Sequence, residues 1–381
     1  VGASEGPDWN DWMTGVMEGV ENIQGSACAG WGVWNWEGFP EYLDALEELP
    51  RTVDVATHVP HGAVRAYVMG DRGAANEEPT ESDIARMANI VEEGLRAGAL
   101  GFSTSRTVLH KSIDGELVPG TTATPEELIG IGRGMARVGH GVFEMASDLL
   151  PKWNEFDWMG DLSRETGLPV TFTALQSPIK AMSFDDQMAQ MREQNAKGAN
   201  ILAQISMRGT GLILGWRCTF NPFSFKPSWA EVADLEATAQ HERLSDPTFR
   251  AKLIAEESVY PDSDIQILAE MMAGAWTMQY DLSDGFNYEP TAAESIAGLA
   301  AAANQSPEEF AYDLMMRDGG NGFIYFPLLH YADGNLNFLE PILQSDDCIN
   351  SLSDGGAHCG TICDAASPTF MLQHWVRDRE G

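Results

Sequence analysis

Gly98-Ala99-Leu100-Gly101-Phe102-Ser103-Thr104-Ser105-Arg106 is the stretch that decides the fold. It joins a helix stop to a short run of small, aromatic and hydroxyl side chains. Upstream, Ile84, Met87, Val91 and Leu95 fall at helical spacing behind Ser82, the expected cap, and Gly98 closes that helix. A helix therefore passes almost directly into a strand at 99–105. The same pattern recurs along the chain, with further strands expected at 53–59, 141–147, 169–175, 200–207 and 348–353. Between them, Thr124-Pro125-Glu126-Glu127 supplies a cap, a first-turn proline and two carboxylates favoured by the helix dipole. Ser306-Pro307-Glu308-Glu309 repeats that start signal. Most strand starts are spaced by about one strand–helix unit. Alternating strands and helices of this kind make a parallel α/β sheet, either a (β/α)8 barrel or a doubly wound sheet. No Gly-x-Gly-x-x-Gly follows a strand and no phosphate-loop motif occurs, which counts against nucleotide-binding open sheets. The interval 208–345 is too long for one unit, and it reads as a helical insertion or lid before the last strand.

Composition narrows the function. The 381 residues are 44% hydrophobic, enough for a sizeable core, and 57 acidic against 23 basic residues give a net charge of −34. Such a surface repels phosphate backbones and anionic lipid, so neither nucleic acid nor a membrane is an expected partner. No apolar run is long enough to span a bilayer. The first residues lack the basic and apolar segments of a secretion signal. Five cysteines, Cys28, Cys218, Cys348, Cys359 and Cys363, form no disulfide framework, which points to a reducing cytoplasm.

In a barrel, function gathers at the C-terminal ends of the strands. Asp354 closes the last strand ahead of two glycines, and is placed to bind a metal or take a proton from metal-bound water. A turn-capping role is the competing reading. Glu144 lies inside the apolar run Val142-Phe143-Glu144-Met145-Ala146, where a carboxylate is costly unless paired or metal-bound. A salt bridge to Arg106 or Arg208 is its alternative. His61 and Arg106 follow strands and His358 follows Asp354, so these three are candidate substrate contacts, each with an ordinary loop role as its alternative. The grouping of His358, Cys359 and Cys363 does not match a structural zinc pattern.

Four stretches carry a family resemblance: Met17-Glu18-Gly19-Val20-Glu21-Asn22-Ile23 with Trp36-Glu37-Gly38-Phe39-Pro40; His61-Gly62-Ala63-Val64-Arg65 with Val68-Met69-Gly70; Gly98 to Ser105 with Val118-Pro119-Gly120-Thr121; and Ser353-Asp354-Gly355 with His374-Trp375-Val376-Arg377-Asp378. Together they resemble the N-acyl-D-amino-acid deacylases of the amidohydrolase superfamily. The resemblance implies a (β/α)8 barrel, incomplete at the N-terminus. It implies hydrolysis of a non-peptide C–N bond in a small N-acyl or amide substrate by zinc-activated water. Asp354 matches the family's last catalytic aspartate, and Glu144 and Asp354 become the candidate metal ligands. The family's His-x-His and Asn-Cys-Gly segments are expected upstream of Val1, so the chain reads as a partial barrel over 1–381. Where the family has two strand histidines, this chain carries Glu144 and Ala174. A metal-free relative that binds a ligand or works by acid–base chemistry is the second reading.

Overall fold

The computed structural model describes residues 9–25, 27, 36–177, 182–260, 266–283, 285, 287–353, 355, 358, 360–362 and 364–379. They divide into two compact units, one formed by 1–174, 180–205 and 345–350, the other by 175–179, 206–344 and 351–381.

The first unit is built on a six-stranded sheet. Its strands are β1 (His58–Pro60), β2 (Gly101–Arg106), β3 (Val142–Ser147), β4 (Val170–Thr173), β5 (Ile201–Ile205) and β9 (Cys348–Asn350). Every pairing is parallel and the order follows the chain, β1-β2-β3-β4-β5-β9. The expected α/β architecture is thus borne out, with each of the six expected strands present. The first is much shorter than expected, because Val53 and Val55 are exposed rather than packed.

Side chains alternate across a strand, and the two faces of this sheet differ. Phe102, Phe143 and Phe172 point one way and are fully buried. Their rings pack in two groups: Phe102 to Phe143 is 5.0 Å between centroids and Phe143 meets Trp158 at 5.8 Å, while Phe172 meets Phe156 at 5.2 Å. Each such burial contributes about 1.5–3 kcal/mol. The helices Glu81–Ala97, Pro125–Ala136, Glu155–Thr166 and Phe184–Ala196 pack successively on one another beside the strands. Thr124 and Ser183 cap two of them by accepting from Glu127 N and Asp186 N. The cap of Glu81–Ala97 is Thr80, not Ser82: Thr80 and Asp83 close a reciprocal capping box. Gly101 is required where β2 meets β3, since a Cβ there would lie 2.0 Å from Val142 O.

The second unit holds most of the expected insertion. It is not purely helical. Strands β6 (Thr210–Leu214), β7 (Tyr280–Asp281) and β8 (Ile324–Leu329) form an antiparallel sheet in the order β6-β8-β7. Its core gathers Trp216, Phe223, Phe249, Tyr312, Ile324 and Phe326. No helix among the described residues is long and apolar enough to cross a membrane.

Candidate functional site

The opposite face of the parallel sheet is the polar one. Register places Ser103, Glu144 and Thr171 side by side on β2, β3 and β4. Neighbouring strands lie about 4.8 Å apart, so the three side chains form one row. Gln204 of β5 joins it by donating from Nε2 to Thr171 Oγ1 at 3.0 Å. Ser105 follows Ser103 on the same face and its Oγ lies 2.7 Å from His110 Nδ1. His58 begins the face on β1, opposite Gly101.

Glu144 is the charged member of this row. It makes no ion pair or hydrogen bond with any other described residue, and burial pushes its carboxyl up to about 7. Neither Arg106 nor Arg208 pairs with it. A carboxyl so poised exchanges a proton readily at neutral pH, and the flanking hydroxyls of Ser103 and Thr171 can orient a polar ligand beside it. Burial also depresses the His58 imidazole below its ordinary value.

The other expected site residues are placed differently. His61 opens the helix His61–Met69 and is 2% exposed. Its Nδ1 lies 2.8 Å from Thr104 Oγ1 and its Nε2 3.1 Å from Glu127 Oε1. A carboxylate only accepts, so Nε2 donates. Gly120, at φ +97°, leaves the room this ring needs: a Cβ there would lie 2.5 Å from His61 Nδ1. Arg65 Nε also donates to Glu127 Oε1, at 2.9 Å. Arg106 donates from Nε to Glu155 at 2.8 and 3.0 Å and from Nη1 to Ala123 O, with its guanidinium 5.0 Å from the Trp153 ring. Thus His61 and Arg106 belong to buried polar networks rather than to the open polar face. Alternation explains it for Arg106, which shares the buried face with Phe102 and Thr104. His358, in the second unit, has a left-handed backbone (φ +50°), and its carbonyl accepts from Thr361 N and Ile362 N at 2.9 Å. Asp354, Cys28, Cys359 and Cys363 lie outside the described residues. Arg208 pairs in the second unit with Asp364, and its Nε donates to Ser367 Oγ at 3.2 Å.

Reading strand ends alone missed Thr171 and Gln204. The period-two alternation within strands 169–175 and 200–207 was the signal that places them beside Glu144.

The fold and the polar row describe an α/β protein with a buried, titratable carboxyl among hydroxyls on one face of a parallel sheet. No family model matches the chain. Over 108 residues it is 35% identical to the D-aminoacylase of Alcaligenes xylosoxydans xylosoxydans, a match covering 28% of this chain and 20% of that protein. Over 141 residues it is 31% identical to the N-acyl-D-aspartate deacylase of the same organism, covering 35% of this chain and 25% of that one. Among solved structures it is similar to an N-acyl-D-glutamate deacylase from Bordetella bronchiseptica, complexed with zinc and a phosphonate inhibitor, at 17% identity, over 90% of this chain and 57% of that one, with a TM-score of 0.46. The matches span a fifth to a quarter of the curated relatives' length. The resemblance to the deacylase branch of the amidohydrolases is borne out by these relatives.

Zinc can be tested against the residues present. Among the described residues, no group of three or more His, Cys, Asp or Glu side chains could hold a metal ion. Glu144 has hydroxyls and an amide around it, and Ala174 offers no ligand atom. The described residues therefore do not by themselves make a zinc site.

Proposed function

We propose that this chain is part of a hydrolase of non-peptide C–N bonds that acts on small N-acyl-D-amino acids or related amides. The observation that carries the reading is Glu144, a carboxyl without a partner among the described residues and raised by burial to about 7 between Ser103 and Thr171, in a chain whose curated relatives include a D-aminoacylase and an N-acyl-D-aspartate deacylase. The six-stranded sheet is read as the larger part of a (β/α)8 barrel. Its strands follow chain order in one direction, whereas a doubly wound sheet reverses order at a switch point. The stretch 208–345 is read as an insertion in the chain before the last strand of the sheet.

In this reading Glu144 would give up its carboxyl proton and help hold the metal. Ser103 and Thr171 orient the amide, and Gln204 fixes the Thr171 hydroxyl. Asp354 is the proposed general base, and His358 is a proposed substrate contact. Zinc is proposed from the relatives, with Glu144 and Asp354 as this chain's candidate ligands and the remaining ligands outside the described residues. His61 and Arg106 support the scaffold. The described cysteines Cys218 and Cys348 are free thiols, pushed up to about 11 by burial, which suits the proposed cytoplasmic setting.

Amine release from a panel of N-acyl-D- and N-acyl-L-amino acids tests the proposal. Asp354→Asn and Glu144→Gln should each lower turnover by about 10²–10⁴-fold, the usual size of an acid–base contribution. Wild-type turnover in both variants would overturn the assignment.

A further inference from the structure

Outside the polar face, one cavity in the second unit is lined by hydrogen-bonding groups that the fold leaves unused. It has a volume of about 100 Å³, and Trp216, Arg217, His241, Gly319 and Gly320 are among its walls. The Trp216 ring is 3% exposed and locked in place, stacked on Trp229 at 5.7 Å and edge-on to Tyr312 at 4.9 Å. Its Nε1–H is buried and makes no hydrogen bond among the described residues, and neither does the buried Nδ1 of His241. An indole N–H can only donate, so its fixed orientation calls for an acceptor.

The opposite wall is backbone. Asp318, Gly319 and Gly320 are successive left-handed residues, with φ of 51°, 72° and 91°. A Cβ on Gly320 would lie 3.3 Å from His241 Nδ1 and 3.8 Å from Trp216 Cδ1, so the open side of this glycine faces both unused groups. Arg217 lines the same cavity and is exposed. It forms no ion pair or hydrogen bond with any described residue, in a chain where 57 acidic side chains face 23 basic ones.

We propose that this cavity binds a compact oxyanion, a carboxylate or phosphate group. Trp216 Nε1–H and His241 Nδ1–H donate to it and Arg217 supplies the counter-charge. The space is large enough for several waters or for an anion of a few heavy atoms. Water alone would satisfy the indole and the imidazole, but the positive charge of Arg217 on the same cavity favours an anion over water. Because the protein's overall field repels anions, local donors and an unpaired guanidinium are what such a site requires.

The test is binding to the full chain, followed by thermal shift and calorimetry, with sodium acetate and sodium phosphate against sodium chloride at constant ionic strength. Saturable stabilisation by acetate or phosphate beyond chloride is expected. Arg217→Gln should weaken it by about tenfold, the size of one charge-assisted hydrogen bond. Trp216→Phe, which keeps the ring packing and removes the N–H, should weaken it as well. Response to acetate alone identifies a carboxylate site, and response to phosphate alone a phosphoryl site. No saturable shift beyond chloride, or an Arg217→Gln variant that binds like the wild type, would overturn the proposal and leave a water-filled cavity. Arg217 is exposed, so its variant keeps the test decisive if Trp216→Phe fails to fold.

Discussion

Glu127→Ala should destabilise the first unit more than any surface change. Glu127 is fully buried and receives Arg65 Nε at 2.9 Å and His61 Nε2 at 3.1 Å. Removing it leaves the Arg65 guanidinium, 1% exposed, with only the carbonyls of Gly73 and Glu77. Breaking a buried pair by deleting one partner costs about 3–5 kcal/mol, because the remaining charge stays desolvated. At roughly 2–4 °C per kcal/mol for a unit of this size, the melting temperature should fall by about 6–20 °C. Burial raises the Glu127 carboxyl, but hydrogen bonds and charge from His61 and then Arg65 outweigh it and hold the group below its ordinary value of 4.5. A depressed carboxyl stabilises the fold fully above its unfolded pKa and loses that contribution as pH falls through the folded one. The difference between wild type and Glu127→Ala should therefore be constant above about pH 5 and shrink in more acid solution. Thermal melts from pH 3 to 8 measure both effects. A loss under about 1 kcal/mol at pH 7, or a difference that grows on acidification, would refute the reasoning.

The remaining predictions use other parts of the structure. Arg192→Ala breaks an exposed pair with Asp347, 2.8 Å apart, and should change stability by less than about 1 kcal/mol in denaturant melts. Gly101→Val should prevent folding, because its Cβ would meet the Val142 carbonyl at 2.0 Å within the β2–β3 ladder; circular dichroism of the purified variant checks this. Carboxyl NMR should find a group titrating near pH 7 that is lost in Glu144→Gln. Because that pKa is raised, the folded state binds more protons than the unfolded chain between about 4.5 and 7, and the Glu144 contribution to stability should fall as pH rises across that window.

How much of this was legible follows from what each segment can announce locally. Strands β2 to β5 were readable to within about two residues at each end, since each is a short run of small, hydroxyl, aromatic or β-branched residues that follows a helix stop. Thr80 beat Ser82 as a cap because the reciprocal bond needs an acid three residues on, and Asp83 provides it. The antiparallel strands were not readable. Ile324–Leu329 is an apolar run containing Pro327, and Tyr280–Asp281 is two residues long, so neither has enough period to separate strand from helix. Glu144 stood out as a carboxylate in an apolar strand. The company it keeps, Ser103, Thr171 and Gln204, is set by register between strands, which single-strand reading leaves open. His61 and Arg106 look like mouth residues in sequence because they end or follow strands. Their partners, Glu127 and Glu155, come from helices 66 and 49 residues away.

Zinc content tests the central claim most directly. It is measured by elemental analysis on protein expressed from the complete reading frame that contains this chain, beside Glu144→Ala and Asp354→Ala. The account predicts near-stoichiometric zinc in the wild type and a clear drop in each variant. A folded wild-type protein free of zinc, or variants that keep all of it, would contradict the proposed metal-dependent amide hydrolase.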